Sequence, residues 1–253
     1  MLSMDITFLI PVRIDSQSRY NNAKKSLEYL CHYAPYNIFI VENSEHSIIP
    51  EILKSIDTNN AKIDYEFIKN SDELFHKTKL LNLMLSKATS EVVVNYDIDI
   101  ILHSNAYKFC YDLIVNQNYD LVYPFAKGDY LLNVFGDHHD KFKFDLSKIK
   151  PEYCELKICQ HGLCQFLNRK QYIKYGGMNE NFISYGPEDW ELGYRFSKFD
   201  LKVDWINTFI VHLDHSRGIN SGTLHSMAKS NYDLYEWIQT LKIKELKEYY
   251  DVK

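Results

Sequence analysis

The sequence has few glycines and neither of the glycine-rich patterns that bind phosphate groups through the backbone. Of its 253 residues 9 are glycine, no G-x-G-x-x-G follows the first predicted strand, and no G-x-x-x-x-G-K-[ST] occurs anywhere. Such loops let the backbone approach a pyrophosphate closely. Their absence argues against a dinucleotide-dependent dehydrogenase and against a P-loop enzyme.

Cysteine is also scarce, and the five cysteines are an odd number without the spacing of a secreted disulfide framework. Cys154, Cys159 and Cys164 are evenly spaced, but four intervening residues each time is not a usual zinc-ligand pattern. We interpret them as small apolar residues in a reducing compartment. The N-terminus lacks a charged stretch followed by a long apolar one, and no apolar run reaches the length of a transmembrane helix. We therefore expect a cytoplasmic protein.

The charge balance lacks the basic excess of a nucleic-acid-binding protein. The net charge is −5, which argues against nucleic acid as the main partner. A nucleotide-sized ligand stays open, because a metal ion can neutralise its charge locally. The 20 tyrosines and 14 phenylalanines mildly favour a carbohydrate site, although most of these rings must lie in the core.

Alternating apolar patterns predict an α/β fold with a mostly parallel central sheet flanked by helices. Strands are predicted at residues 6–12, 36–41, 63–68, 92–101 and 120–125, and helices at residues 21–33, 48–56, 78–88 and 106–116. Strand–helix–strand repeats of this kind form parallel sheets with right-handed crossovers. No linker or repeat divides the chain, so we expect a single domain over residues 1–253.

Polar side chains follow several predicted strands at their carboxyl ends, where ligands bind in sheets of this kind. Arg13 and Asp15 follow the first strand, Glu42 follows the second, and Asp97 and Asp99 lie near the end of the fourth. In an extended strand, residues two apart point to one face, so the two aspartates are expected to converge. Converging carboxylates favour a hard cation such as Mg²⁺ or Mn²⁺. The tripeptide pattern is common by chance, however, and a solvated strand end is the alternative.

Residues 126–154 show little periodicity and are rich in charge and aromatic rings. A long irregular segment inside a compact domain is either a functional loop or a misassigned one. Its Asp-His-His-Asp stretch at residues 137–140 is a candidate second metal site, but a solvated loop is the preferred interpretation.

The stretch from Gln160 onward predicts a strand, a glycine turn at residues 176–177, an aromatic-flanked loop and then a helix that opens with Glu188 and Asp189. Acidic residues in a first helical turn interact favourably with the helix dipole, so these two are open to a purely structural interpretation. A carboxylate at a rigid helix start is also well placed to act as a general base.

These stretches resemble the C-terminal region of β-1,4-galactosyltransferase-type enzymes and related inverting glycosyltransferases of the GT-A fold. The family shows a glycine–glycine turn, an aromatic–glycine stretch and then Gly-Glu-Asp, where this chain has residues 176–180 (Gly-Gly-Met-Asn-Glu) and 185–189 (Tyr-Gly-Pro-Glu-Asp). Upstream, residues 75–82 (Phe-His-Lys-Thr-Lys-Leu-Leu-Asn) are similar to the family's Phe-Asn-Arg-Ala-Lys-Leu-Leu-Asn. The resemblance implies a GT-A (nucleotide-diphospho-sugar transferase) fold. Its nucleotide-binding half would cover residues 1–102, its acceptor and catalytic half residues 103–220, and a helical tail residues 221–253.

The resemblance also implies roles for individual residues. Asp189 would be the catalytic base, and Glu188 would orient the acceptor or the base. Asp99 would ligate the metal directly, while Asp97 would contact the ribose or metal-bound water. The remaining contacts to the nucleotide-sugar would come from Pro11, Arg13, Asp15, Glu42, Lys79, Ile98, Tyr185 and Gly186. Pro187 stands where the family has a glycine, and Trp190 stands where it has an acidic residue. These departures put the identity of the donor and the contacts to the acceptor in question more than the reaction itself.

A histidine after a late strand is expected to complete the metal shell. Residues 203–211 are predicted to form that strand, and His212 and His215 follow. An imidazole beside carboxylate and diphosphate oxygens suits Mn²⁺ better than Mg²⁺. His212 fits a Val-His-Leu-x-His pattern of bacterial relatives, and His215 fits the His-Ser motif of the galactosyltransferases. Both are candidates, with His212 preferred.

The sequence therefore predicts an inverting, metal-dependent glycosyltransferase. It would move a hexose, galactose or an N-acetylhexosamine, from a UDP-sugar to a saccharide hydroxyl in bacterial surface polysaccharide synthesis. The expected cofactor is Mn²⁺ or Mg²⁺. The expected partners are the donor and an acceptor, which is a saccharide or a lipid-linked oligosaccharide. Nucleic acid is not expected as a partner. A peripheral contact of the protein with the inner face of the membrane is an open alternative. Part of the loop over residues 126–159 is expected to close over the donor and exclude water. A nucleotidyltransferase and a non-catalytic nucleotide- or sugar-binding module are the alternatives.

Overall fold

The computed structural model describes residues 4–33, 36–159, 161–216, 218, 222 and 225–252, apart from the side chain of Asp129. Gln160, with which the predicted strand-like stretch begins, lies outside the described residues. The strands are β1 (Ile6–Val12), β2 (Asn37–Glu42), β3 (Lys62–Phe67), β4 (Val92–Tyr96), β5 (Ile100–Leu102), β6 (Leu121–Tyr123), β7 (Gly128–Val134), β8 (Cys154–Cys159), β9 (Cys164–Asn168), β10 (Val203–Trp205) and β11 (Ile210–Leu213). The helices are α1 (Gln17–His32), α2 (Ile49–Lys54), α3 (Lys77–Lys87), α4 (Ser104–Gln117), α5 (Arg169–Lys174), α6 (Glu188–Lys198), α7 (Ala228–Thr240) and α8 (Ile243–Tyr249). No helix in these ranges is both long and apolar enough to cross a membrane.

Seven strands form the central sheet in the order β10-β6-β9-β4-β1-β2-β3. The neighbours among β4, β1, β2 and β3 are parallel, as are β10 and β6, whereas β9 runs antiparallel to β4 and β6. Every residue of β1 and β4 is buried, because both faces of these central strands are covered. The predicted α/β fold with a mostly parallel sheet flanked by helices is confirmed.

A second sheet, of order β5-β11-β7-β8, begins and ends the segment in which the sequence showed little periodicity, because β7 lies near its start and β8 begins at its last residue. β7 and β8 pair antiparallel, and three single-turn 3₁₀ helices lie between them. β8 lies at the edge of this sheet, where Leu156 and Ile158 are 63% and 70% exposed. Because both of these apolar side chains are more exposed than Lys157 between them, the strand does not show the usual alternation of a half-buried strand.

Residues 137–140 lie in an irregular connection whose Asp137 and Asp140 are exposed, as the preferred interpretation of a solvated loop had it, but His139 is buried. The imidazole of His139 is buried and its Nε2 bonds the carbonyl oxygen of Val134 at 2.9 Å. Asp140 pairs with Lys25 on α1 at 2.5 Å. These contacts attach the stretch to the body of the molecule.

Two predicted strands are each divided by a turn. β4 ends at Tyr96, residues 97–99 form a turn, and β5 continues in the second sheet. Residues 203–211 likewise divide between β10 in the central sheet and β11 in the second. α1 begins four residues earlier than predicted, because the hydroxyl of Ser16 accepts a hydrogen bond from the N–H of Arg19 and caps the helix.

A buried ion pair anchors α6, the helix that opens with the carboxylate pair. Arg195 is fully buried, lies 2.9 Å from Glu191, and donates hydrogen bonds to the carbonyl oxygens of Tyr175 and Gly177. Tyr250, just after α8, donates to Glu191 at 2.6 Å and packs its ring against the guanidinium at 4.0 Å. The glycine turn and the C-terminal tail are thereby attached to the same helix.

The two sequence motifs behind the family resemblance contact each other at this turn. Gly177 has a φ of +61°, and a Cβ there would lie 2.5 Å from Oδ1 of Asn82. The Asn82 side chain accepts a hydrogen bond from the N–H of Met178 at 2.8 Å and donates one to its carbonyl oxygen at 2.9 Å. Glycine is required by the left-handed backbone and by this close approach.

Arg195→Ala is expected to destabilise the protein by about 3–5 kcal/mol, because it leaves the Glu191 carboxylate buried without its cation. Urea unfolding followed by circular dichroism measures the change. Lys229→Ala removes an exposed pair with Asp233 on α7 and is the control, with no measurable loss expected. Equal, small effects of the two substitutions would contradict the anchoring role of Arg195.

Candidate active site

A cavity of about 770 Å³ opens at the carboxyl ends of β1 and β4 and is bounded by the second sheet and the start of α6. This volume suits a ligand of nucleotide-sugar size. The site residues expected from the sequence that line the cavity are Pro11, Arg13, Asp97, Ile98, Asp99, Tyr185, Gly186, Glu188, Asp189, His212 and His215.

Asp99, His212 and His215 are the one group of three or more candidate ligands, within the described part of the chain, that could hold a metal ion. Their ligand atoms lie within 4.8 Å of one another. The Nε2 atoms of His215 and His212 are 3.1 Å and 3.8 Å from Oδ2 of Asp99. Both histidines that the sequence left as candidates therefore face the same carboxylate.

Outer contacts orient the two imidazoles with Nε2 toward Asp99. Nδ1 of His212 bonds Oδ1 of Asn133 at 2.6 Å, and Nδ1 of His215 bonds the carbonyl oxygen of Ser216 at 2.9 Å. Because both partners are acceptors, we assign the proton to Nδ1, which leaves the Nε2 lone pair for a metal. Burial lowers the pKa of His212 and so favours the neutral, metal-binding form. Burial disfavours a charged Asp99, but when the histidines are protonated, as they can be without a metal ion, the hydrogen bond from His215 and the charges of both histidines hold the pKa of Asp99 below its usual range.

The two aspartates of the Asp-Ile-Asp motif do not project together as expected. Because residues 97–99 form a turn, the alternation of an extended strand does not apply to them. Asp99 faces the histidines, whereas Asp97 pairs with Lys77 at 2.9 Å. The motif therefore contributes one carboxylate to each of two clusters.

Lys77, the first residue of α3, is the centre of the second cluster. Its ammonium nitrogen lies 2.9 Å from Asp97, 3.2 Å from Asp189 and 3.9 Å from Glu188. Burial alone opposes the charge, but the three carboxylates raise the pKa of Lys77 well above its usual value. One cation thus connects α3, the turn after β4 and the start of α6.

Glu188 differs from its neighbour in being almost fully buried. It is 7% exposed, and its Oε2 has no hydrogen-bond partner among the described residues. Burial, together with the charge of Asp189, raises the pKa of Glu188 to about 8. Burial also raises the pKa of Asp97, to about 6. At neutral pH Glu188 is therefore mostly protonated and can donate a hydrogen bond beside a second carboxylate.

A buried amide network positions Asp189. The Gln165 side chain on β9 donates to Oδ1 of Asp189 at 3.2 Å and to the carbonyl oxygen of His161 at 2.9 Å. Its own carbonyl accepts from Asn95 on β4, which also donates to the Tyr172 hydroxyl. These bonds connect the carboxylate to the central sheet.

The residues expected around the nucleotide are only partly brought to the cavity. Arg13 lines it and donates to the carbonyl oxygens of Asp72 and Leu74. Asp15 does not line it, but pairs at 3.2 Å with Arg19, which does. The loop after β1 and the first turn of α1 therefore each contribute a guanidinium group, of Arg13 and Arg19, to the cavity wall.

Glu42 and Lys79 are not among the residues that line the cavity, so the structure does not bring them together with the other expected nucleotide contacts. The buried Glu42 carboxylate accepts hydrogen bonds from the N–H groups of Ile48 and Ile49 and from the Tyr65 hydroxyl, so it stabilises the start of α2. Lys79 is exposed on α3 because it lies two residues beyond the inward-facing Lys77, on another side of the helix.

Three residues of the site were not singled out from the sequence. Lys77 lies within the motif at residues 75–82, where the helical phase of α3 was the available signal, and Gln165 lies in the strand predicted after Gln160. Asn133 had no signal, because its strand was not recognised. Each acts on a candidate catalytic or metal-binding side chain through a direct contact.

The family model described as "Glycosyltransferase like family 2" matches residues 7–229. The chain therefore belongs to the glycosyltransferase-like family 2. No curated protein sequence was similar enough to count as a relative.

Two solved structures are similar to this chain at low sequence identity, and the first of them shares its architecture. The mannosyltransferase PcManGT from Pyrobaculum calidifontis, in complex with GDP-Man and Mn²⁺, has a TM-score of 0.59 and 14% identity, over 86% of this chain and 59% of that one. The catalytic domain of Drosophila β1,4-galactosyltransferase 7, in complex with xylobiose, has a TM-score of 0.48 and 15% identity, over 83% of this chain and 71% of that one. This chain thus spans less than two thirds of the mannosyltransferase. The GT-A type of fold predicted from the sequence is confirmed.

Replacing either histidine of the candidate metal group is expected to weaken Mn²⁺ binding. Loss of a side chain that hydrogen-bonds a metal ligand weakens metal binding about 10–100-fold. His212→Ala and His215→Ala should each raise the dissociation constant for Mn²⁺ by at least this factor. Calorimetric titration with MnCl₂ measures this. His138→Ala, in the Asp-His-His-Asp stretch, is the matched control and should bind Mn²⁺ like the unsubstituted protein. If only the control variant lost Mn²⁺ binding, the metal site would lie at residues 137–140 instead.

The raised pKa of Glu188 predicts a specific pH dependence of stability. Because folding favours its protonated form, its contribution is complete below the unfolded value near 4.5 and is lost as the pH rises through about 8. Between those limits the group lowers the free energy of unfolding by about 1.4 kcal/mol per pH unit. Glu188→Gln should flatten the profile from urea unfolding at pH 5, 6.5 and 8. Glu236→Gln, at an exposed position on α7, is the control and should leave the profile unchanged. An unchanged slope of unfolding free energy against pH in Glu188→Gln would contradict the raised pKa of Glu188.

Proposed function

We propose that the protein is an inverting, divalent-metal-dependent glycosyltransferase that moves a hexose from a UDP-sugar to a saccharide hydroxyl. Membership of the glycosyltransferase-like family 2 supports the reaction class. The observation that carries the finer proposal is that the metal-binding candidates and the Glu188–Asp189 pair line one cavity. A donor held at the first group would have its reacting carbon in the same space as a base from the second.

Asp99, His212 and His215 are the residues that would hold the metal. One carboxylate and two imidazoles suit Mn²⁺ better than Mg²⁺, which prefers oxygen ligands. When bound, such an ion supplies positive charge for a leaving diphosphate. Arg13 and Arg19, on the wall of the same cavity, would add hydrogen bonds to phosphate oxygens.

Asp189 would act as the general base. Its carboxylate takes the proton from the acceptor hydroxyl while the acceptor oxygen forms a bond to the anomeric carbon. The bond from that carbon to the diphosphate oxygen breaks on the opposite face, so the configuration inverts. Gln165 holds one oxygen of Asp189 in place, and the protonated Glu188 can donate a hydrogen bond to the acceptor or the base.

The donor and acceptor are proposed from the family resemblance. By that resemblance Tyr185 stands where the family often has a tryptophan that forms a platform for the sugar, so the platform is changed here, and Tyr185 lines the cavity beside Gly186. Galactose is the first candidate for the transferred sugar, followed by the N-acetylhexosamines. A saccharide or lipid-linked oligosaccharide of a bacterial surface polysaccharide would be the acceptor.

Asp189→Asn is expected to lower transfer by at least about a thousandfold, because the amide cannot accept the proton. Binding of UDP with Mn²⁺, measured by calorimetry, should stay within threefold, since the shape of the side chain is kept. The test uses UDP-galactose, UDP-N-acetylglucosamine and GDP-mannose, each with MnCl₂ or with EDTA, and the anomeric configuration of the product is read by NMR. Asp233→Asn, exposed on α7, is the control.

Near-normal turnover by Asp189→Asn would contradict the base assignment, and a retained configuration would contradict the inverting mechanism. UDP binding by the unsubstituted protein without hydrolysis or transfer would favour a binding module. Release of pyrophosphate from UTP would favour a nucleotidyltransferase.

A further inference from the structure

The indole ring of Trp190 is exposed, although leaving a large apolar side chain in contact with water is energetically unfavourable. It follows Asp189 directly in the first turn of α6, lines the same cavity, and is 45% exposed. Aromatic residues usually bury most of their surface, so an indole open to a cavity is well suited to receive a ligand.

The C-terminal helix α7 holds this indole in one orientation. Tyr232 and Tyr235 both contact the ring of Trp190 edge to face, at centroid distances of 6.3 Å and interplanar angles of 77° and 70°. Tyr235 lines the cavity as well. Two such contacts restrict the rotation of an indole, and restricting it in advance lowers the entropy cost of ligand binding.

Asn231 fixes α7 to the loop that leads into α6. Its amide donates to the carbonyl oxygens of Ile183 and Tyr185, both at 2.8 Å, and accepts from the N–H of Ile183 at 3.2 Å. The contact is close, since a Cβ on Gly186 would lie 2.7 Å from the Cβ of Asn231. The tail helix α7 is therefore held against the cavity, and Tyr235 contributes to its wall.

We propose that Trp190 and Tyr235 form an aromatic subsite on which the terminal pyranose of the acceptor stacks by its apolar face. The proposal rests on the proposed function, because it takes the acceptor side of the cavity to be the side of the base, Asp189. A pyranose ring presents C–H groups on a face that lacks axial hydroxyls, and an aromatic wall removes that face from water. An acceptor without a ring, such as glycerol phosphate or a serine hydroxyl, gains nothing from such a wall.

One of the two rings of the subsite, Tyr235, lies beyond the family match. The family model ends at residue 229, before Asn231, Tyr232 and Tyr235. Trp190 itself stands where the resembling family has an acidic residue.

The first experiment measures transfer against donor hydrolysis with UDP-galactose and MnCl₂. The acceptors are methyl β-D-glucopyranoside, methyl β-D-galactopyranoside, methyl N-acetyl-β-D-glucosaminide and glycerol 3-phosphate. Trp190→Ala is expected to lower the ratio of transfer to hydrolysis at least tenfold for the best pyranoside, about 1.4 kcal/mol, through a higher acceptor KM. Trp190→Phe should restore the ratio to within threefold, because a smaller ring still stacks.

Trp237→Ala is the matched control, since Trp237 is also 45% exposed and lies on α7 but does not line the cavity. Its ratio should equal that of the unsubstituted protein. Equal ratios in Trp190→Ala and Trp237→Ala would overturn the proposal, as would a preference of the unsubstituted protein for glycerol 3-phosphate.

The second experiment needs no turnover and so separates this proposal from the proposed function. The protein has three tryptophans, and their fluorescence is titrated with the same three pyranosides and with glycerol 3-phosphate. We expect a saturable change with a pyranoside that is lost in Trp190→Phe and kept in Trp237→Phe. No change in the unsubstituted protein, or a change that persists in Trp190→Phe, would overturn the subsite even if the enzyme transfers a hexose.

Discussion

The ammonium group of Lys77 is surrounded by three carboxylates, and the arrangement of the cavity depends on this contact. Asp97, Glu188 and Asp189 come from two elements about ninety residues apart in the chain and would repel one another without a cation between them. Burying charged groups is costly unless they are paired. The start of α3, the turn after β4 and the start of α6 are therefore held in one relative position, and Asp189 is directed into the cavity.

The turn after β4 divides the chemistry of the cavity into two electrostatic environments. On one side, Asp99 beside two histidines has its pKa held below the usual range, which suits a metal ligand. On the other side, burial raises the pKa of Glu188 to about 8 and that of Asp97 to about 6, which suits groups that hold and pass protons. Carboxyl groups whose surroundings push their pKa values apart can take different roles at one pH.

Much of the fold could be predicted from the sequence because its central strands are buried on both faces. β1 and β4 appear as continuous apolar, β-branched runs, and the glycine turn and the Asn82 motif that contact each other are recognisable as motifs. β7 and β8 were not predicted, because β8 lies at a sheet edge and exposes Leu156 and Ile158. A strand prediction that assumes apolar side chains point into the core fails for such an edge strand.

Within the site, residue types and chain order were predictable, but side-chain directions were not. Asp97 and Asp99 were expected on one face, and a turn separates them. Glu42 follows a strand as a nucleotide contact would, yet its carboxylate binds the start of α2. Lys77 and Lys79 belong to one motif and face different surroundings, since two residues along a helix rotate the side chain by more than half a turn. The direction in which each of these side chains points depends on contacts between segments that are distant in the sequence.

The central claim is that a cation held by Asp99, His212 and His215 shares one cavity with the carboxylate of Asp189. Anomalous diffraction at the manganese edge, from crystals of the full chain grown with MnCl₂ and UDP, tests it most directly. The account predicts one strong peak within ligand distance of these three side chains, with UDP in the cavity that Asp189 lines. A manganese peak at another group of residues, or UDP bound outside this cavity, would contradict it.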